Sequence, residues 1–333
     1  PENGLESMDR VLAQRGETNP ATGLPVTADD FFADWAVANY LDDSSIAQGK
    51  YHYASYPQAP KASPTEEFSN CPVESQTRSV NQYGTDYIRI TCPGTHRFIF
   101  QGNTLVPLLP VDPYSGNYAF WSNKGDESDM TLTRSFDFTN VSAPIQLSYR
   151  TWYDLESGYD YVYLLASEDG KTWHMIHTPS GTDANPSGNN YGWGYNGESG
   201  PAWRLETVDL SAFAGKKIQL RFEYITDTAV YKEGFLIDDL AVDAAGYSTD
   251  FENDDGGWLG NGFVRVSNRL SQTYRVSLIL LGSETRVVPL ELDASQHGAV
   301  DFTLGDEYTE AVLVISGTTR FTTRQAQYQF EIQ

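Results

Sequence analysis

Cysteine is scarce: the 333 residues hold two, Cys71 and Cys92. Two thiols cannot build a cysteine-based zinc site, and a pair suits one disulfide. The other reading is two buried free thiols. Basic residues are also few, 22 against 45 acidic ones, for a formal charge of −23. Phosphate and anionic lipid repel such a surface, which argues against a nucleic-acid binder and against a binder of anionic membranes. No run of 18 apolar residues occurs, so no membrane span is predicted. No signal peptide heads the chain, and Pro1 in place of Met suggests a mature, trimmed or subcloned piece. What is plentiful points elsewhere. Hydrophobic residues make 40% and charged residues 20%, enough to bury real cores in about two or three domains. There are 21 Tyr, 16 Phe, 7 Trp and 28 Gly, a composition of extracellular β-sandwiches. That setting favours the disulfide. The acidity is permissive for calcium, which takes carboxylate oxygens.

Two short helices open the chain. Leu5, Met8 and Leu12 share one face of a pattern starting at Asn3, and Gly16 stops it. Thr27 starts a second helix, with Asp30 as its acidic partner. Phe31, Phe32, Trp35, Ala38 and Tyr40 follow as a dense apolar run. After Pro60 the chain turns loop-like, and from about residue 78 almost everything reads as strands. Tyr87-Ile-Arg-Ile-Thr, Arg97-Phe-Ile-Phe and Lys217-Ile-Gln-Leu-Arg-Phe-Glu-Tyr alternate apolar with polar residues, the period of a half-buried sheet. The fold class is therefore mainly β: a short N-terminal helical segment, then two β-sandwich modules. The divisions are 1–57 (helical), 58–117 (linker plus two strands), 118–247 (jelly roll) and 248–333 (C-terminal β-sandwich). The last segment alone is thin for a sandwich. Strands near Tyr87 and Phe98 are therefore expected to pair with 260–333, making the jelly roll an insertion.

Three stretches carry a family resemblance. Phe32-Ala-Asp-Trp-Ala-Val-Ala-Asn-Tyr-Leu-Asp-Asp43 and Gly49-Lys-Tyr-His-Tyr53 look like the last helices of a zinc metallopeptidase catalytic domain. Phe120-Trp-Ser-Asn-Lys-Gly-Asp-Glu-Ser-Asp129, Trp152-Tyr-Asp-Leu-Glu-Ser-Gly-Tyr-Asp-Tyr161, Ser167-Glu-Asp-Gly-Lys-Thr-Trp173 and Gly234-Phe-Leu-Ile-Asp-Asp-Leu240 look like a MAM-like jelly roll. Residues 250–333 are similar to the β domain that ends such chains. Together they resemble the C-terminal part of secreted peptidases of the immune inhibitor A family. The resemblance implies secretion, an upstream peptidase domain as partner, and zinc bound only in that domain. Those enzymes hold zinc through His-Glu-x-x-His. None of the five histidines here, His52, His96, His174, His177 and His297, stands in that motif. His174 and His177 are three apart in a strand pattern and point to opposite faces, a poor metal pair.

Two acidic groups could carry chemistry. Asp126 and Asp129 precede one strand of the jelly roll, and Asp238 and Asp239 lie in its last. If the first and last strands lie side by side, these carboxylates could converge on a structural calcium, as the resemblance implies for MAM-like modules. The plainer reading is a solvated acidic loop. The second group is Asp154, Glu156, Asp160 and Asp227, set among Trp152, Tyr153, Tyr159 and Tyr161. Aromatic faces beside acids suit a glycan or peptide groove; nothing fixes the acid–base pair a glycosidase needs. Tyr191 and Trp193 belong to a Gly-rich loop, Gly181 to Gly200, that either binds a ligand or closes over the sandwich edge. The functional expectation is a non-catalytic part of a metallopeptidase that supports the catalytic domain and could bind substrate or a protein or glycan surface. The alternative is a stand-alone adhesion or carbohydrate-binding protein. An autonomous hydrolase is the third.

Overall fold

The computed structural model describes residues 4–19 and 23–333, and the chain divides into two compact units. One comprises the chain up to Leu108 together with Arg269–Gln333; the other is Leu109–Asn268. Asn3, where the sequence places the start of the first helix, lies outside the described residues.

The first unit is a two-sheet sandwich with helices on one side. One sheet orders Glu66–Phe68, Thr85–Ile90, Tyr308–Gly317, Tyr274–Gly282 and Thr285–Leu290. Its first pair is parallel and the rest are antiparallel. The other sheet orders Val73–Val80, Ala326–Ile332, Gly94–Gly102 and His297–Leu304, all antiparallel. Ile88 sits opposite Leu313, and Phe98 opposite both Val300 and Ile332. The strands at Tyr87 and Phe98 thus share sheets with the C-terminal strands. The stems of the intervening unit meet where Val106 pairs with Leu270.

Burial follows from this layering. Ile88, Ile90, Phe98, Phe100, Leu278, Leu313 and Phe330 fill the space between the sheets. The run Ala311-Val-Leu-Val-Ile315 is buried on both faces, because its outer side is covered by a helix. That helix, α2 (Ala28–Leu41), lays Ala36, Val37 and Leu41 on Tyr87, Ile279, Val312 and Val314. It begins with the capping box that Thr27 and Asp30 form, two backbone donors answered reciprocally. The helices therefore do not stand apart as a 1–57 domain; α2 builds one layer of this unit. The other helix, α1 (Gly4–Arg15), behaves differently from its sequence pattern. It buries no residue, and Met8 is exposed. Its anchor is polar: Asp9 accepts from the Ala28 N–H and pairs with Arg320 at 2.6 Å.

Cys71 and Cys92 are joined in a disulfide that closes a loop of sequence separation 21 beside this core. Replacing both with Ser is expected to lower the unit's stability by about 3 kcal/mol, the chain entropy of such a loop. Denaturant melts of the double variant and of the wild type check this.

The second unit is the aromatic one. Its first sheet orders His174–Met175, Tyr161–Ser167, Lys217–Ile225, Asp129–Asp137 and Leu259–Asn261. The second orders Arg204–Asp209, Gln146–Asp154, Gly234–Val242, Tyr118–Trp121 and Val264–Ser267, with Tyr247–Thr249 also on Gly234–Val242. Every pairing in the unit is antiparallel. Lys217–Ile225 alternates as its sequence does, with Ile218, Leu220, Phe222 and Tyr224 inward. Tyr149 meets Phe222 edge-on at 5.1 Å, a favourable arrangement of ring quadrupoles. The unit is wider than 118–247. Phe251, Trp258 and Phe263 fill its core, because the left-handed Gly256 and Gly257 turn the chain back onto the sandwich. At the other end the Leu109 N–H donates to Asn268 Oδ1 at 2.6 Å, tying the first residue of the unit to its last.

Candidate metal and ligand site

One end of the second unit gathers acidic loops. The strand Gln146–Asp154 runs into the turn Leu155–Asp160, anchored by the buried Leu155. Within it the N–H groups of Tyr159 and Asp160 donate to the Glu156 carbonyl, and Gly158 takes a φ of 86° that disfavours a side chain. Asn196 clamps the turn: its Nδ2 donates to the carbonyls of Glu156 and Asp160, and its Oδ1 accepts from the Gly158 N–H. Asp227 lies two residues beyond Lys217–Ile225, the strand paired with Tyr161–Ser167. Carboxylate oxygens of Glu156, Asp160 and Asp227 consequently lie within 4.8 Å of one another.

The electrostatics of this group are unfavourable as it stands. Asp160 is 1% exposed; it accepts from the Asp227 N–H at 3.1 Å and the Tyr224 hydroxyl at 3.2 Å. Burial nevertheless pushes its carboxyl up to about 6, with the charges of Asp227 and Glu156 adding to the rise. Burial also raises Glu156, as do the charges of Asp227 and Asp126, while Lys232 opposes them. Asp154 is raised by burial, again against Lys232. Two acceptor oxygens, Asp154 Oδ1 and Glu156 Oε2, are buried with no donor. Buried acceptors are almost always satisfied, so these call for a cation or water. Three converging carboxylates supply part of the oxygen shell that calcium requires.

The four carboxylates Asp126, Asp129, Asp238 and Asp239 are arranged otherwise. Tyr118–Trp121 and Gly234–Val242 do lie side by side, but antiparallel, with Trp121 opposite Leu236. Residues after Trp121 therefore run away from Asp238. Asp238 is wholly buried and accepts from the N–H groups of Ser115 and Asp239; burial raises its carboxyl to about 7. Asp239, at a φ of 43°, accepts from Ser115 Oγ at 2.6 Å. Asp129 is exposed at a strand start, and Asp126 lies near enough to Glu156 to raise it. No three of these four converge among the described residues.

The aromatic residues divide in the same way. Tyr153 is in the core, stacked on Phe235 at 5.7 Å, and Trp152 is buried too. Neither can offer a face to a ligand, because the second sheet buries both of its faces at this point. Tyr159 and Tyr191 are exposed, at 46% and 71%. Trp193 stacks on His177 at 4.4 Å and donates to the Thr178 carbonyl. That pairing uses His177 as packing, and His174 lies exposed on its strand. The Gly-rich loop closes over the sandwich: Tyr195 enters the core, while Tyr163 bonds Asn190 and the Tyr191 N–H.

Sequence reasoning passed over Glu206. It is 1% exposed and accepts from Ser180 Oγ, the Ser180 N–H and the Tyr195 hydroxyl, which bonds Tyr149. The signal was its place beside Val208 on the inward period of Arg204–Asp209. The other acidic or thiol trio among the described residues, Cys71, Cys92 and His96, holds no thiolate, since its sulfurs are disulfide-bonded.

Two antiparallel sheets, with strands 118–121 and 234–242 adjacent in one of them, make this unit a β-sandwich. Residues 106–268 match the family described as "Immune inhibitor A-like, MAM domain". The Pre-pro-metalloprotease PrtV of Vibrio cholerae is 30% identical over 146 residues, 44% of this chain and 15% of that protein. Immune inhibitor A of Bacillus thuringiensis subsp. alesti is 34% identical over 148 residues, 44% of this chain and 20% of that protein. Bacillopeptidase F of Bacillus subtilis is 29% identical over 129 residues, 38% of this chain and 7% of that protein. The chain thus matches a fifth or less of the length of these curated relatives. No helix among the described residues is long and apolar enough to cross a membrane.

Proposed function

We propose that this chain is a non-catalytic, accessory region of a secreted zinc metallopeptidase, which supports the catalytic domain and helps present protein substrates. The observation that carries the reading is the immune inhibitor A-like MAM segment, shared at 30–34% identity with a metalloprotease and with Immune inhibitor A. These 333 residues contain no His-Glu-x-x-His, so the zinc would be bound by another part of the protein. A structural calcium is proposed at Glu156, Asp160 and Asp227, where converging acids and orphaned buried oxygens fit a hard cation. Its chemistry there is electrostatic: it neutralises the acids and fixes the loops that carry them.

Peptidase assays decide the main reading. The full gene product is expected to cleave an unfolded protein substrate and to lose that activity to a zinc chelator, whereas the 333-residue chain alone is inert. A gene product with no zinc peptidase domain, or cleavage by this chain alone, would contradict it. The exposed Tyr159 and Tyr191 beside the acidic group favour a second reading, a glycan-binding module. Calcium-dependent retention of the isolated chain on a glycan array would support it.

A further inference from the structure

The acidic turn of the second unit hangs on one side-chain amide. Asn196 Nδ2 donates to the carbonyls of Glu156 and Asp160 at 3.1 and 2.8 Å, and its Oδ1 accepts from the Gly158 N–H at 3.0 Å. The next residue is Gly197, at a φ of 68°. Apart from its chain neighbours, a side chain placed there would meet nothing nearer than Ser157 Oγ at 3.9 Å. The Gly197 N–H makes no hydrogen bond among the described residues. The backbone nitrogen beside the amide is thus unshielded and unengaged. An asparagine followed by glycine is where such a nitrogen reaches the side-chain Cγ most readily, because glycine puts no Cβ in the way and turns freely.

We propose that Asn196–Gly197 is a deamidation site, and that conversion of this one amide disables the cation site carried by the turn. The Gly197 nitrogen attacks Asn196 Cγ and the Cγ–Nδ2 bond breaks. Ammonia leaves with the proton from the Gly197 nitrogen, and a five-membered succinimide closes. One water opens the ring to aspartate or, through the other carbonyl, to isoaspartate. The aspartate cannot repeat the clamp. It has no donor for the carbonyls of Glu156 and Asp160, and sets a carboxylate oxygen against them. It also adds a negative charge beside Glu156, Asp160 and Asp227, which already oppose one another's ionisation. Isoaspartate further lengthens the backbone where the Leu155 N–H donates to the Gly197 carbonyl.

The clamp also governs the rate. Three hydrogen bonds hold the amide in place, so ring closure needs the turn to open and follows the open population. A cation held by Glu156, Asp160 and Asp227 in the closed turn lowers that population; this step rests on the calcium reading above. Asn261 provides the contrast. It too precedes a glycine, but it is exposed at the end of Leu259–Asn261, and its side chain makes no hydrogen bond among the described residues.

The test incubates the unmodified 333-residue chain at mildly alkaline pH with calcium or with a chelator. Mass spectrometry of tryptic peptides follows the amide-to-acid change at Asn196 and Asn261. Both are expected to convert in chelator. Calcium at a hundred times its dissociation constant is expected to slow Asn196 by up to about a hundredfold and to leave Asn261 unchanged. Chains converted at Asn196, separated by charge, are expected to lose the calcium-induced rise in melting temperature, as is Asn196→Asp, while the first unit melts as before. An intact Asn196 after Asn261 has fully converted would overturn the proposal, and so would converted chains that keep the whole calcium rise. Equal Asn196 rates with and without calcium, where calcium still raises the melting of the unconverted chain, would overturn the link between clamp and cation. If calcium raises nothing in the unconverted chain, the calcium reading falls instead, and conversion in chelator reports on the modification site separately.

Discussion

Calcium is expected to raise the melting temperature of the Leu109–Asn268 unit, and Asp160→Asn is expected to abolish the rise. A ligand that binds only the native state stabilises it by about 2.7 kcal/mol at a hundred times its dissociation constant, or about 5–10 °C for a unit of this size. Glu156, Asp160 and Asp227 are brought together by folding, so the unfolded chain has no equivalent site. The pH dependence provides a second readout. Without a cation, burial holds Asp160 up at about 6, against an ordinary value of 3.8. Between these values the folded state binds more protons than the unfolded one, so stability from this group is full below about pH 4 and is lost as pH rises through 6. Calcium reverses the sign, because it binds the ionised carboxylates and gains as they deprotonate. The metal-free unit should therefore melt higher at pH 5 than at pH 7.5, and the gap should narrow or invert in calcium. Asp129→Asn and Asp239→Asn should leave the calcium shift intact. A shift that survives Asp160→Asn but disappears in either of those variants would move the ion to the other acidic group.

The second large effect concerns the extent of the sandwich. A fragment of residues 109–268 should fold alone, whereas 118–247 should not. The shorter piece lacks the strands Leu259–Asn261 and Val264–Ser267 and three buried aromatics, Phe251, Trp258 and Phe263. Trp258 packs against Phe136 and Phe222 with 2% of its surface exposed. Trp258→Ala in the whole chain is expected to cost about 3–5 kcal/mol, the range for emptying an aromatic site in a core. Calorimetry should show the loss in one transition only, with the disulfide-bearing unit melting as before. Cooperative unfolding of the 118–247 fragment would refute this boundary.

Much of the fold was legible because its signals are local and repeated. The alternation in Lys217–Ile225 names the buried side of a strand without knowledge of its neighbours. Thr27 and Asp30 announce α2 through three residues. The thinness of the C-terminal segment demanded partners, and Thr85–Ile90 and Gly94–Gly102 were the strands within reach. What stayed hidden depends on which way strands run and what lies on the far side of a sheet. Asp126 lies in the loop after Tyr118–Trp121, and the antiparallel pairing of that strand with Gly234–Val242 leads the loop away from Asp238. Trp152 alternates with Tyr153 and should be exposed by period alone, yet both faces of their strand are covered. Leu5, Met8 and Leu12 form an apolar stripe, but α1 is held by Asp9 instead. The Glu156, Asp160 and Asp227 group was visible as composition; its convergence needed the turn clamped by Asn196, forty positions along the chain from Glu156.

The most direct test of the account is the metal content of two dialysed samples, the full gene product and this 333-residue chain, by elemental mass spectrometry. The account predicts one zinc in the full product, none in this chain, and one calcium in this chain when dialysed against calcium. Stoichiometric zinc in this chain, or none in the full product, would contradict it.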